Sequence, residues 1–339
     1  MISIIIPCYK AQATIKRCLN SILAQDVDTD LEIILVNDEP SENYKEIVKN
    51  YNGLLSIKEI PSFANIGPGA ARAMGVMVAR GDYIMFMDSD DTLSDCFSIS
   101  HLYKAMIEND ANVVVSTFME EVHQDVKNEE DVTTTQTIYV PHLKDGTWLF
   151  GKLYKMDFLR KYNLNLNGTR SNEDCGFNAL VNMCNNNEDP SKIIYIEHLT
   201  YIWHFNSSSI TRSTDYAFEG MRGYVENHIW AISEAIDRGL KDEVILPNIV
   251  STMCMLYVYY ISLQERPKEQ LDQYIDWCRS FYFNIYLPNI KEITKEMLTE
   301  IYCSAMQTHA NMVNCKISDF TLWGFIDELN IKEKGETTV

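Results

Sequence analysis

A hydrophobic run, Tyr83 to Met87, breaks into Asp88-Ser89-Asp90-Asp91, so three carboxylates fall within four positions. Left to themselves such charges repel, and each favours its protonated form. A divalent cation removes the conflict. A small number of hard oxygen ligands suits Mg2+ or Mn2+ shared with the phosphates of a substrate. The same residues also suit an acidic turn in which Asp91 caps the helix that follows.

Other groups precede this turn in an order that makes sense around a nucleotide. Tyr9 follows the apolar run Ile2 to Pro7, and Asp38 follows the β-branched run Glu32 to Val36. A Tyr ring can stack on a base, and an Asp can accept a hydrogen bond from a base or ribose donor. Between them and Asp88 lies Asn65-Ile66-Gly67-Pro68-Gly69-Ala70-Ala71-Arg72. Its glycines allow close backbone approach, its helix start offers N–H groups to an anion, and Arg72 offers a guanidinium to a phosphate or carboxylate. Each residue has a plainer role available. Tyr9 can be a rim aromatic, Asp38 a turn former, Gly67 a helix start and Arg72 the partner of a structural carboxylate.

The elements needed to position these groups are visible in the hydrophobic pattern. Short, nearly continuous apolar runs (2–7, 32–36, 55–60, 83–87) alternate with helical spacing (13–25, 42–51, 67–79). That grammar indicates a doubly wound α/β sheet covered on both faces, with ligands at the carboxyl ends of its strands. After residue 91 a helix (97–108), a strand (112–122) and a polar loop or hairpin tip (124–136) are expected. A strand (137–140), helices (156–162 and 173–184) and one or two strands (192–205) follow. From about 215 to 329 the spacing is helical, with Pro247, Pro267 and Pro288 as punctuation.

Composition bounds the partners. The 339 residues carry 29 basic and 48 acidic side chains, a net charge of −19, which disfavours phosphate backbones and anionic lipid surfaces. With 46% hydrophobic residues the chain can build cores and is no acidic disordered tail. Nine scattered cysteines without a C-x-x-C pair read as reduced thiols of a cytoplasmic protein, not a disulfide frame or zinc site. The N-terminus reads as a mature strand, and the uncharged stretch 244–264 reads as a buried helix, not an integral membrane segment.

With those residues in hand, 1–212 resembles the family 2 glycosyltransferases of the GT-A fold. The landmarks are SIIIPCY (3–9), ILVND (34–38), NIGPGAARAMGVMVARGDYIMFMDSDD (65–91), GKLYK (151–155), NED (172–174) and SSSIT (207–211). The resemblance implies a GT-A-type, Rossmann-like, mostly parallel sheet flanked by helices over 1–212 and a helical C-terminal domain over 213–339. It implies an inverting transferase using a nucleotide-diphosphate-sugar, UDP-linked by family precedent, with Mn2+ or Mg2+. Pro7, Tyr9 and Asp38 would hold the base, while Asn65, Gly67, Arg72, Asp88 and Ser89 would line the rest of the donor site. Asp88 and Asp90 would bind the metal, with His204 completing its shell or touching the diphosphate, as could Arg212. Asp174 would be the catalytic base, although an acidic first turn of a helix accounts for Glu173-Asp174 equally simply.

Departures from the family pattern shape the remaining expectations. Glu39-Pro40 stands where Gly-Ser is usual, and Trp148 is displaced from the aromatic position filled by Phe150, so the acceptor wall is altered. The Q-x-x-R-W motif of processive synthases is absent. The reading is transfer of a single sugar to a hydroxyl acceptor, a saccharide of a surface polysaccharide. The alternatives are a phage-type enzyme acting on a DNA base or a protein, for which Lys152, Lys155, Arg160 and Lys161 would be the basic patch, and a non-catalytic nucleotide-sugar-binding module. Ser207 to Ser209 are expected to form a lid, and the C-terminal helices a homodimer interface.

Overall fold

The computed structural model describes residues 1–125, 132–139, 148–206, 216–263, 267–290 and 321–330. The chain divides into two compact units, Met1–Tyr216 and Ala217–Val339. The first begins β1 (Ile2–Cys8), α1 (Ile15–Leu23), β2 (Leu31–Asn37), α2 (Lys45–Lys49), β3 (Ser56–Pro61), α3 (Pro68–Val78) and β4 (Tyr83–Phe86). It continues with β5 (Thr92–Leu93), α4 (Ser98–Glu108), β6 (Val113–Asp125), β7 (Val132–Tyr139), β8 (Lys152–Lys155), α5 (Met156–Lys161), α6 (Glu173–Glu188) and β9 (Ile193–Trp203).

These strands make one sheet in the order β3-β2-β1-β4-β8-β6-β9-β5, with β7 paired to β6. Strands β3, β2, β1 and β4 run parallel, so Pro61, Asn37, Cys8 and Phe86 all end at one edge. β8 is antiparallel to both β4 and β6, while β9 is parallel to β6 and antiparallel to β5. The sheet is therefore mixed, with its parallel character concentrated in the first half. Ile4, Ile6, Ile33 and Leu35 are wholly buried there with Ile15, Leu19 and Ile22 of α1. This is why the strands read as continuous apolar runs, not alternating ones.

Helix α3 reaches the sheet through glycine. A Cβ on Gly75 would lie 2.3 Å from Ile5 Cγ2, far inside van der Waals contact, so the helix can approach β1 only without a side chain there. Gly75→Ala is expected to destabilise the unit by about 1–3 kcal/mol through overpacking. Chemical denaturation followed by circular dichroism measures it, and an unchanged midpoint would mean that α3 shifts freely.

Three expectations need correction. The flanks of the polar stretch 124–136 are strand and not loop, β6 and β7 pairing from Phe118–Tyr139 out to Asp125–Val132, while 126–131, where a hairpin tip is expected, lie outside the described residues. The sequence of this segment, rich in Thr, Gln, Asp and Glu, has no apolar alternation to mark it as strand. The helix expected over 42–51 contracts to Lys45–Lys49, since the preceding residues are held by side chains: Asn37 Nδ2 donates to the Glu42 carbonyl at 2.8 Å. Pro247 does not end a helix but lies inside the one spanning Asp242–Ser262.

The second unit contains α7 (Tyr216–Asp237), α8 (Asp242–Ser262), α9 (Lys268–Phe281) and a last described helix, Thr321–Asn330. α8 is long and apolar enough by composition to cross a membrane, but Met253, Cys254, Leu256, Tyr257 and Val258 are buried within this unit. Phe325 packs 4.8 Å from the Tyr260 ring, and Tyr274 Oη donates to the Leu256 carbonyl at 2.8 Å. No disulfide forms among the described cysteines.

Candidate active site

Because the parallel strands share a direction, Tyr9, Asp38, Ser62 and Asp88 emerge at the same edge of the sheet. Tyr9 is 48% exposed there, with the Lys10 ammonium 5.0 Å from its ring centre. Pro7, paired with Val36, is half-buried beneath it. Those two placements leave an aromatic face open to a base.

Asp38 behaves differently from the expectation. It is 3% exposed, and its oxygens accept from the Ile66 N–H at 2.7 Å and the Gly67 N–H at 2.9 Å. The carboxylate that was expected to face a base closes the 62–67 loop instead. Gly67 there has φ +87°, and a Cβ on it would press on Arg170 Cγ at 3.0 Å. Arg170, which sequence reasoning missed, clasps Asn65 through its Oδ1 (2.6 Å) and its carbonyl (2.7 Å). Asn65 is thereby a fixed point of the loop, and no sequence signal ties it to a residue 105 positions away.

Arg72 requires the largest correction. It is 8% exposed, with Nη2 2.5 Å from Asp88 Oδ1 and Nη1 paired to Glu173 Oε1. Its guanidinium is enclosed by protein carboxylates, so it is not presented to a phosphate. What it does is join the Asp88 turn to the start of α6, across 101 residues of sequence. Burial opposes the Arg72 charge, but Asp88 and Glu173 outweigh it and hold the guanidinium protonated beyond its ordinary range. Burial also pushes Glu173 up to about 7, with Arg72 pulling it down and the Asp174 and Asp88 charges pushing it further up.

The acidic turn is anchored from several sides. Asp88 N–H donates to Tyr201 Oη at 3.0 Å, and Tyr201 Oη donates to Asp91 Oδ2 at 2.7 Å. Asp91 is wholly buried and also accepts the His204 N–H at 2.8 Å, so it is a structural member of the turn. Burial, together with the charges of Asp88 and Asp90, moves its carboxyl well above the usual carboxylate range. Asp90 accepts from Asn206 Nδ2 at 2.7 Å through Oδ2, and its carbonyl accepts from Arg17 Nη2. Burial and then the Asp88 charge raise Asp90 as well. Ser89 sits half-buried between them.

No cluster of three or more His, Cys, Asp or Glu side chains able to hold a metal occurs among the described residues. The donor set still fits a hard cation shared with a diphosphate. Asp90 and Asp88 supply carboxylate oxygens, and Mg2+-like ions take one or two carboxylates with the remainder from phosphate and water. Burial is the larger cause of the raised Asp90 carboxyl, and the Asp88 charge, the smaller one, is what a cation there would offset.

His204 does not join that set. Its Nδ1 lies 2.8 Å from Glu121 Oε2 and its Nε2 2.9 Å from Thr92 Oγ1, so both ring nitrogens are occupied. The expected metal ligand ties β9 to β5 and β6. Trp203, at the end of β9, packs 5.8 Å from Phe150. Ser207 to Ser209, the SSSIT landmark and Arg212 lie outside the described residues.

Asp174, half-buried in the first turn of α6, is held at both oxygens. The Cys175 N–H donates to Oδ1 at 2.8 Å and the Trp148 N–H to Oδ2 at 3.1 Å. Trp148 has φ +51° and Asn172, which precedes α6, has φ +55°. Left-handed backbone costs a bulky residue about 1–3 kcal/mol and persists only where the surroundings enforce it. The basic patch disperses: Lys155 pairs with Asp110, Lys161 with Glu188, and Lys152 is buried.

A parallel half-sheet with an acidic turn at its carboxyl edge and a carboxylate at the start of α6 is the arrangement of a glycosyltransferase domain of the GT-A type. Residues 3–170 match the model for Glycosyl transferase family 2, and the chain carries that family's domain. It is 28% identical over 297 residues to the glycosyltransferase GlyG of Streptococcus pneumoniae, covering 82% of this chain and 94% of GlyG. It is 27% identical to the Staphylococcus aureus poly(ribitol-phosphate) β-N-acetylglucosaminyltransferase TarP over 34% of this chain and 36% of TarP. The fold matches S. aureus TarS residues 1–349 in complex with UDP-GlcNAc at TM-score 0.65 and 18% identity, over 94% of this chain and 93% of that one.

Proposed function

We propose that this glycosyltransferase is an inverting, metal-dependent enzyme moving one sugar from a UDP-sugar to a hydroxyl acceptor, a saccharide of a surface polysaccharide. The observation that carries the reading is Arg72, whose one guanidinium joins the Asp88 turn to the helix start bearing Asp174. A donor diphosphate at Asp88 and Asp90 and an acceptor hydroxyl at Asp174 are then neighbours. The family of relatives that includes TarP, and the TarS complex with UDP-GlcNAc, support a UDP donor and a polymer acceptor.

In this reading Asp174 takes the proton of the acceptor hydroxyl as its oxygen bonds to the anomeric carbon. The bond from that carbon to the diphosphate oxygen breaks on the opposite face, which inverts the centre without a covalent intermediate. Asp90 and Asp88 would hold Mn2+ or Mg2+, which would supply positive charge to the departing diphosphate. Tyr9 and Pro7 carry the base, and the loop fixed by Asp38, Asn65 and Gly67 forms the wall beside it. The first unit is the catalytic domain, acting on the cytoplasmic side. The helical unit is a platform for self-association. With Lys155 and Lys161 paired to carboxylates and Lys152 buried, the patch offers little to a DNA acceptor.

A thermal-shift panel of UDP-, GDP- and dTDP-sugars with and without Mn2+ tests this. A UDP-sugar with Mn2+ at about 100 times its Kd should stabilise by about 2.7 kcal/mol, or roughly 5 °C or more. Asp90→Ala should abolish the Mn2+-dependent part of that shift while the unliganded melting temperature stays within a few degrees. Equal shifts in Mn2+ and in EDTA, or a full shift with Asp90→Ala, would overturn the metal assignment.

A further inference from the structure

Lys152 is wholly buried in β8, where a methionine or leucine would fill similar space without the cost of desolvating an ammonium. Its Nζ lies 2.6 Å from the Trp148 carbonyl. Asn178, also wholly buried and one helical turn beyond Asp174, donates Nδ2 to the same oxygen at 3.0 Å and accepts from Tyr154 Oη at 2.8 Å. Trp148 is thus gripped at its carbonyl by β8 and α6, while its N–H donates to Asp174 Oδ2 at 3.1 Å. The Trp148 ring is wedged 5.0 Å from Phe118, which in turn meets Phe150 at 5.0 Å. Phe150 stacks on Tyr201 at 4.5 Å, the residue that holds the Asp88 turn.

The conformation of Trp148 makes this grip consequential. At φ +51° the residue sits where an aromatic side chain does not rest unaided. With its carbonyl released, the backbone relaxes toward negative φ and the N–H turns away from Asp174. The carboxylate then loses one of the two donors that fix its rotamer.

We propose that Lys152 is a positioning residue for Asp174: its buried ammonium locks Trp148 in the left-handed conformation whose N–H orients the carboxylate. The proposal rests on the reading of Asp174 as the base. Lys152 itself touches neither donor nor acceptor. A charged donor is used because charge-assisted hydrogen bonds to a carbonyl are the strong ones, and this carbonyl must not move.

The test uses the full chain and measures UDP release from UDP-N-acetylglucosamine and UDP-glucose with Mn2+, alongside the Kd of UDP with Mn2+. Lys152→Met should lower kcat by about 30- to 100-fold, the scale of a misplaced catalytic group, with Kd for UDP within about threefold of wild type. In an Asp174→Asn background the same change should lower the residual rate by less than about twofold, because the residue acts only through Asp174. If Lys152→Met does not fold, Asn178→Leu removes the other donor to the carbonyl and should show the same non-additivity with a loss of about tenfold. A Lys152→Met kcat within threefold of wild type while Asp174→Asn is inactive would overturn the positioning role alone. Losses that multiply in the double variant would do the same. Full turnover by Asp174→Asn would instead remove the base reading, and the proposal with it.

Discussion

Asp174→Asn is expected to lower kcat by about 10²- to 10⁴-fold, the range a positioned general base contributes, while binding of UDP with Mn2+ stays near wild type. The substitution is close to isosteric, so the helix start and the Arg72 pairing with Glu173 should survive. One hydrogen bond does not. Asp174 accepts from two backbone N–H groups, Cys175 on Oδ1 and Trp148 on Oδ2. An amide has only one oxygen, so its NH2 must face one of those donors, at a cost of about 1–3 kcal/mol for the group left unsatisfied. A small loss of thermal stability should therefore accompany a large loss of turnover. Single-turnover release of UDP separates the two effects, and comparable rates for wild type and variant would show that another group removes the proton.

The parts of the site legible in the sequence were those whose chemistry is local. Met87 to Asp91 announces itself because a buried strand ends in three carboxylates within four positions, and α3 because Gly67, Pro68 and Gly69 open a run of small residues. Strands β1, β2 and β4 were legible for a related reason, being buried on both faces and hence almost continuously apolar. What sequence could not supply was partnership over distance. Arg72 offered a guanidinium to any anion, and only the fold assigns it to Glu173. His204 looked like a ligand until Glu121 and Thr92 were found on its two nitrogens.

Other residues were hidden for different physical reasons. Tyr201 lies in a strand of aromatics where nothing distinguishes the ring that turns its hydroxyl to Asp88 and Asp91. Lys152 reads as part of a basic patch with Lys155, Arg160 and Lys161, and its burial is hidden because lysines are rarely buried. Pro247 reads as punctuation in the sequence, yet it falls near the start of α8, where only one backbone bond is forfeited and the buried residues beyond it carry the helix. In each case burial overrode the tendency of the residue type.

Arg72→Met should be the most destabilising single change at the site, by about 3–5 kcal/mol, because removing one partner leaves a buried charge uncompensated. The loss should depend on pH, and its sign follows from Glu173. In the folded state its carboxyl is raised from the ordinary 4.5 to about 7, by burial above all. The folded protein thus binds the Glu173 proton more tightly than the unfolded chain does, so this contribution favours folding below pH 4.5 and is lost as pH rises through about 7. Without the guanidinium that pulls it down, Glu173 rises further, and the loss extends to higher pH. Urea denaturation should find the variant closest to wild type near pH 5 and furthest from it near pH 8.5. An equal deficit at both would show that Arg72 contributes by packing alone. Turnover should fail even where the variant is folded, since nothing would then hold the Asp88 turn against the helix that carries Asp174.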